Sequence, residues 1–333
     1  MTAMTTANKR WLALAVLMVA AIALPFVVSN YRTFQFTLVL VYAIALLGLN
    51  ILTGYNGQIS LGHGAFYAVG AYVAAIMMDK FGLPYWATVP AAAAICFVVG
   101  FLFGLPALRL EGLYLALATF ALAVSMPQLL KYKALEPWTG GVQGIVIVKP
   151  EAPEFVAATF GLKLSADQWL YLFTLAITVL MFWLGWNLLR GRIGLAWVAI
   201  RDSHVAASAM GIDTARYKSL AFGVSAMYTG IGGALGAIAV QFVAPDSFPV
   251  LLSISLLVGV VVGGLASIPG AIFGGLFIQF IPNIADQISK AAPWAIYGLF
   301  LIGFMFLMPQ GIYGAIRLGW ARMRRSGPVP PRA

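Results

Sequence analysis

Residues 34–78 read FQFTLVLVYAIALLGLNILTGYNGQISLGHGAFYAVGAYVAAIMM. Two apolar runs, 34–52 and 60–78, flank a short glycine-rich break, and no Asp, Glu, Lys or Arg occurs anywhere in the 45 residues. Each run is about the 20 residues that a helix needs to cross a bilayer. Neither alternates apolar and polar in the ten-residue pieces of a transmembrane barrel strand. In hydrocarbon only helices and closed barrels satisfy their own backbone, so these runs predict membrane-spanning helices.

The rest of the chain repeats the pattern. It has 333 residues, 62% of them apolar and 9% charged, against about 25% charged in a soluble domain. Ten apolar stretches emerge: 11–28, 34–52, 60–78, 84–106, 112–130, 168–189, 219–241, 250–266, 268–281 and 293–309. They hold about 190 residues and no acidic or basic side chain, where an even spread would put about 17. That exclusion follows from the cost of a charge at the bilayer centre. The eighth and ninth are short, and a hairpin that stops inside the membrane would lower the count. The first, Trp11 to Val28, exceeds a signal-peptide core and has no small-x-small cleavage site after it, so it is read as an uncleaved helix. The fold expected is an all-α integral membrane protein of about ten spans, with a break near 54–64.

Alternating ten spans from a cytoplasmic N-terminus puts thirteen cations and three acids (Glu111, Asp202 and Asp213) inside. Seven of each remain outside, so the whole net charge of +10 lies on one face. This is the positive-inside bias, and it removes any need for a nucleic-acid partner to explain the basic balance. Both termini are expected in the cytoplasm. Residues 1–317 form one transmembrane domain, with an outer loop at about 131–167 and an inner loop at about 190–218. Residues 318–333 form a basic tail that is expected to be disordered, ending in the polar, proline-rich SGPVPPRA from Ser326 onward.

Several chemistries lack their residues. No GxxxxGK[ST] phosphate loop occurs, so the chain does not hydrolyse ATP. His63 and His204 have no partner at metal-ligand spacing, so no metal site is expected, and Cys96 is the only cysteine. No clustered nucleophile and base suggest an enzyme. The absence of an acidic residue within a span weakens an ion-coupled carrier.

Two segments remain to be explained. In 48–72, Gly54, Gly57, Gly62, Gly64 and Gly70 thin the helix, while Asn50, Asn56, Gln58, Ser60 and His63 bring polar groups to membrane depth. Such a break either lines a translocation pathway or turns tightly and packs through small residues. The hairpin of Gly259, Gly263, Gly264, Gly270, Gly274 and Gly275 reads as close packing. The inner stretch 190–220, RGRIGLAWVAIRDSHVAASAMGIDTARYKSL, has Asp202 or Ser203 as N-cap and Gly211 past the end of a short helix, 203–210. Asp213 then caps the next long helix. Val205, Ala206, Ala209 and Met210 share one face of the short helix, and His204, Ala207 and Ser208 another. Two turns are not stable alone, so this helix docks into a partner or lies on the membrane interface.

That inner stretch resembles the coupling segment of ABC importer permeases, a Glu-Ala-Ala-x-x-x-Gly pattern matched here by Val205-Ala206-Ala207 and Gly211. Val205 replaces the acidic residue, as is usual in the branched-chain amino acid branch. The stretches LTGYNGQISLGHGAFYAVGAY, PALRLEGLYLALATF around Arg109, TGGVQGI, Pro245-Asp246-Ser247-Phe248 and Pro309-Gln310-Gly311 resemble that branch in the same order. The resemblance implies a permease paired with a second permease, two cytoplasmic ATPases that bind ATP and magnesium, and a periplasmic binding protein. No cofactor would sit on this chain itself. It assigns Arg201, Asp202, His204, Val205, Ala206, Ala207, Met210 and Gly211 to ATPase coupling, while Asn50, Asn56, Gln58, Ser60 and His63 are the pathway candidates that the broken segment itself offers. Lys149, Glu151 and Glu154 are expected to help receive the binding protein. Leucine, isoleucine and valine are the expected substrates. Similar importers carry urea, short amides or aromatic acids, and a carrier or channel without ATPases is the remaining alternative.

Overall fold

The computed structural model describes residues 2–107, 110, 112–153, 164–288, 293–308 and 310–325. Helix α1 (Thr2–Val27) leads into α2 (Asn30–Asn50), which continues as one π-helical turn, Ile51–Tyr55. The chain then runs without regular structure to α3 (His63–Asp79), followed by α4 (Tyr85–Ala107) and α5 (Leu113–Leu130). A one-turn α6 (Glu136–Thr139) and strand β1 (Ile145–Val146) precede α7 (Ala166–Arg190). Next come α8 (Arg192–Asp202), α9 (His204–Ala209) and α10 (Thr214–Val240), then strand β2 (Phe242–Val243). The chain closes with α11 (Val250–Gly263), α12 (Gly270–Ile288), α13 (Pro293–Leu307) and α14 (Gly311–Arg325).

Seven helical segments among the described residues are long and apolar enough to cross a membrane. They include both arms of the suspected short hairpin, Pro245–Gly263 and Gly270–Ile288. α12 therefore extends beyond the predicted end at 281, carrying Asn283 and Asp286 on its last turns. α3 is shorter, at 17 residues, because 56–62 takes the start of the predicted 60–78 span out of helix. α13 has 15 residues.

α10 is the axis of the molecule: 89% of its most apolar stretch is buried, against 28% for α7. Its sequence, AFGVSAMYTGIGGALGAIAV, explains why. Between helices in lipid there is little hydrophobic driving force, so association relies on close approach over small residues. Gly232 lies against Val41 and Ala45 of α2, Gly233 against the backbone of α3 at Tyr67, and Gly230 against Cys96 of α4. In the α11–α12 hairpin, Gly263 meets Gly270 and Gly274 meets Gly259, while Gly275 rests on the α2 backbone at Val39, the close packing expected of this hairpin.

Polar contacts sort the helix ends. At one end, β1 pairs antiparallel with β2, Lys131 Nζ meets Asp246 Oδ1 at 2.5 Å, and Trp169 Nε1 donates to Tyr85 Oη. At the other end, the break after α2, the end of α8 and the α11–α12 turn converge.

Two loop expectations need correction. The 190–218 loop is a pair of helices, α8 and α9, and only α9 was anticipated. The basic tail 318–333 is helical through Arg325, because α14 continues to that residue. Residues 326–333 lie outside the described residues, as do Arg109 and Glu154.

Candidate functional site

The convergent end is built from α8 outward. Ile193, Ala196, Trp197 and Ile200 recur at helical spacing, and the last three are buried. Trp197 is wholly enclosed, and its indole N–H donates to the Tyr217 carbonyl at 2.9 Å. α8 is thereby pinned to the first turns of α10. α9 follows after one extended residue, Ser203, whose hydroxyl accepts from Ala206 N at 3.2 Å. Gly211 follows the end of α9, and Asp213 caps α10 by accepting from Arg216 N at 3.1 Å. These are the caps that the sequence indicates.

The two faces of α9 differ. Ala207 is buried against its own chain, whereas Val205 is 77% and Met210 83% exposed. His204 and Ala206 are exposed as well. Two large apolar side chains thus project from a short helix whose base is fixed by Trp197.

The five polar residues of the break are all buried, and three of them, Asn50, Ser60 and His63, are hydrogen-bonded within the chain on both sides of their polar groups. Asn50 spans to the α11–α12 turn: Nδ2 donates to Ser267 O at 2.8 Å and Gly264 O at 3.4 Å, and Oδ1 accepts from Ala266 N at 2.9 Å. His63 sits between Ser60 Oγ at 2.9 Å and Ser225 Oγ at 2.6 Å. Ser225 spends its single hydrogen on the Gly48 carbonyl at 2.6 Å, so it must accept from His63 Nε2. Nδ1 of a neutral ring then accepts from Ser60. Asn56 Nδ2 donates to Gln58 Oε1 at 2.8 Å, while Asn56 Oδ1 is left without a partner.

The structure brings part of the two predicted sets together. Asn56 and Gln58 line a cavity of about 160 Å³ with Ile200, Arg201, His204 and Lys218. Asn50 faces away toward the α11–α12 turn, and Ser60 and His63 lie toward α10. Three hydroxyls that hold the break were not anticipated from sequence. Thr119 Oγ1 accepts from Leu61 N, Ser253 Oγ accepts from Gly64 N, and Ser225 contacts His63. Lys149, expected to help receive the binding protein, pairs with Asp167 at 2.6 Å, and Glu151 is exposed.

One consequence is measurable. His63→Leu would leave the buried Ser60 O–H without its acceptor, at about 1–3 kcal/mol for the unsatisfied group, and would take one donor from Ser225, which keeps its bond to the Gly48 carbonyl. The purified protein should melt several degrees lower in detergent. An unshifted melting curve would show that this network does not hold the break.

A family model described as the permease component of branched-chain amino acid transport systems matches residues 31–308. The LivM proteins of Salmonella typhimurium and Escherichia coli K12, named high-affinity branched-chain amino acid transport system permease proteins, are each 34% identical over 321 residues. Those alignments cover 91% of this chain and 75% of each relative. The LivH protein of Escherichia coli K12 is 26% identical, over 82% of this chain and 91% of its own. No solved structure matches the chain. With the match running from the first turn of α2 to the end of α13, this multi-pass helical membrane protein belongs to the family of branched-chain amino acid transport system permease components.

Proposed function

We propose that the chain is one of two permease subunits of a binding-protein-dependent ABC importer, carrying leucine, isoleucine and valine across a bacterial inner membrane. In this reading residues 1–317 are one permease domain that crosses ten times, with α1, α3 and α13 added to the seven longer segments. Both termini are cytoplasmic, which keeps the net charge on that face. A periplasmic binding protein delivers substrate, and two cytoplasmic ATPases, carrying ATP and magnesium, drive alternating access. α9 docks into a groove on one ATPase. The observation that carries the reading is the exposure of Val205 and Met210 on a short helix fixed at its base. Apolar anchors on a rigid element are what a protein partner's pocket recognises. The break at 56–62, clamped to α8 and to the α11–α12 turn, would be the part of the pathway wall that ATPase closure moves.

Reconstitution tests this. Liposomes holding this chain, its second permease and the ATPases, with the binding protein outside, should accumulate leucine only when ATP is supplied. Uptake without ATPases would sink the importer reading. A binding protein that takes urea and ignores leucine would overturn the substrate.

A further inference from the structure

We propose that Arg201 is a positioning residue that straps α9 to the break after α2, so that displacement of α9 is delivered to the Gly54 carbonyl and from there to the α11–α12 turn. This rests on the reading that α9 meets an ATPase, and it adds the path by which the push leaves that helix.

The strap is defined at both ends. The π-helical turn Ile51–Tyr55 closes with Asn56 N donating to Ile51 O and Gln58 N to Leu52 O. The carbonyls after these belong to the unpaired end of a helix. Gly54 O takes a guanidinium instead: Arg201 Nη1 donates to it at 2.9 Å. The same guanidinium gives Nε and Nη2 to Asp202 Oδ1, at 3.1 and 3.0 Å. Its planar fork is therefore fixed from both sides, which a lysine could not reproduce. The Arg201 methylenes lie over Gly57, where a Cβ would stand 2.8 Å from Arg201 Cγ, and Gly57 has a φ of +76° that other residues rarely adopt. The arginine thus holds the break at two points, bonded at Gly54 and packed over Gly57.

Beyond Gly54 the path continues without slack. A Cβ on Gly54 would lie 2.5 Å from Ala266 N, so the π-helical turn leans directly on the α11–α12 turn. The three hydrogen bonds of Asn50 lock the same turn to the end of α2. Before Arg201 the path has one joint. Ser203, with φ −160° and ψ 109°, is the single extended residue between α8 and α9. A tilt of α9 about that joint acts first on Asp202 and Arg201, because Trp197 holds the rest of α8 to α10.

The assembled transporter in liposomes decides the matter by leucine moved per ATP hydrolysed. Arg201→Ala should retain both ATPases and hydrolyse ATP, with transport per ATP at least tenfold lower. Arg201→Lys should fall between it and the unchanged protein. A residue that only stabilised the fold would lower the yield of complex and leave this ratio alone. An unchanged ratio in either variant overturns the proposal, and if Arg201→Ala fails to assemble, Arg201→Lys decides by the same ratio. Spin labels at positions 208 and 265 supply a second readout: tied through the strap, they should keep their distance on ATP binding in the unsubstituted background, and the distance should change on ATP binding with Arg201→Ala and, by less, with Arg201→Lys. The same response in all three backgrounds would overturn the strap. If the unsubstituted complex binds no ATPase at all, the importer reading fails instead.

Discussion

Replacing Gly70 by leucine should abolish folded protein in the membrane. Gly70 lies where α3 crosses α10, and a Cβ there would overlap the Gly230 carbonyl. One turn away, a Cβ on Gly233 would overlap the Tyr67 carbonyl, so the two helices meet backbone to backbone over two turns. Forcing a methylene into a packed interior costs about 1–3 kcal/mol when side chains can rearrange. Here the obstacle is main chain on the most buried helix of the molecule, so a branched side chain must separate α3 from α10. Stability as a whole is only about 5–15 kcal/mol. The measurement is the monodisperse yield of detergent-extracted protein, expected at least tenfold lower for Gly70→Leu. Gly303→Leu is the control, since no heavy atom lies within 4 Å of its Cβ position, and it should match the unsubstituted yield. A normal yield for Gly70→Leu would show that the α3–α10 crossing is wrong.

This seam also shows what a sequence discloses. That α10 is small-residue and apolar is plain from 219–241, but which neighbours its glycines admit depends on contacts more than a hundred residues away. Membrane insertion was legible because charge exclusion is a property of each segment alone. The caps at Ser203 and Asp213 were legible for the same reason, since a cap acts on residues two or three positions ahead. The signal for α8 was present in Ile193, Ala196, Trp197 and Ile200, but it sits in a stretch framed by arginines and reads as loop. The hydroxyls of Thr119, Ser225 and Ser253 could not be found this way. A lone Ser or Thr in an apolar helix ordinarily bonds its own i−4 carbonyl, and nothing local marks those that reach another segment. Asn50, Asn56, Gln58, Ser60 and His63 were legible as special, because polar groups among apolar residues need partners. Where those partners lie depends on tertiary placement, which buries all five side chains.

Charging the exposed face of α9 should remove transport while leaving the protein intact. Ala207 is buried against its own chain and is unsuitable for the test, because a charge there would damage the fold before it met any partner. Val205 and Met210 point away from the chain, so Val205→Glu with Met210→Glu should leave extraction and melting unchanged. If α9 sits in an ATPase groove, two charges enter a desolvated pocket built for apolar anchors. Losing such anchors costs about 2–4 kcal/mol, which is about a 30- to 1000-fold loss of affinity. Co-purification of the ATPases and leucine uptake should both fall by at least tenfold. The sign of the charge separates this from a helix lying on the membrane. Anionic lipid attracts Lys and repels Glu, so at a lipid surface Val205→Lys with Met210→Lys would be tolerated and only the Glu pair would fail. A protein groove rejects both pairs. Tolerance of the Lys pair would therefore place α9 on lipid and withdraw the observation on which the importer reading rests.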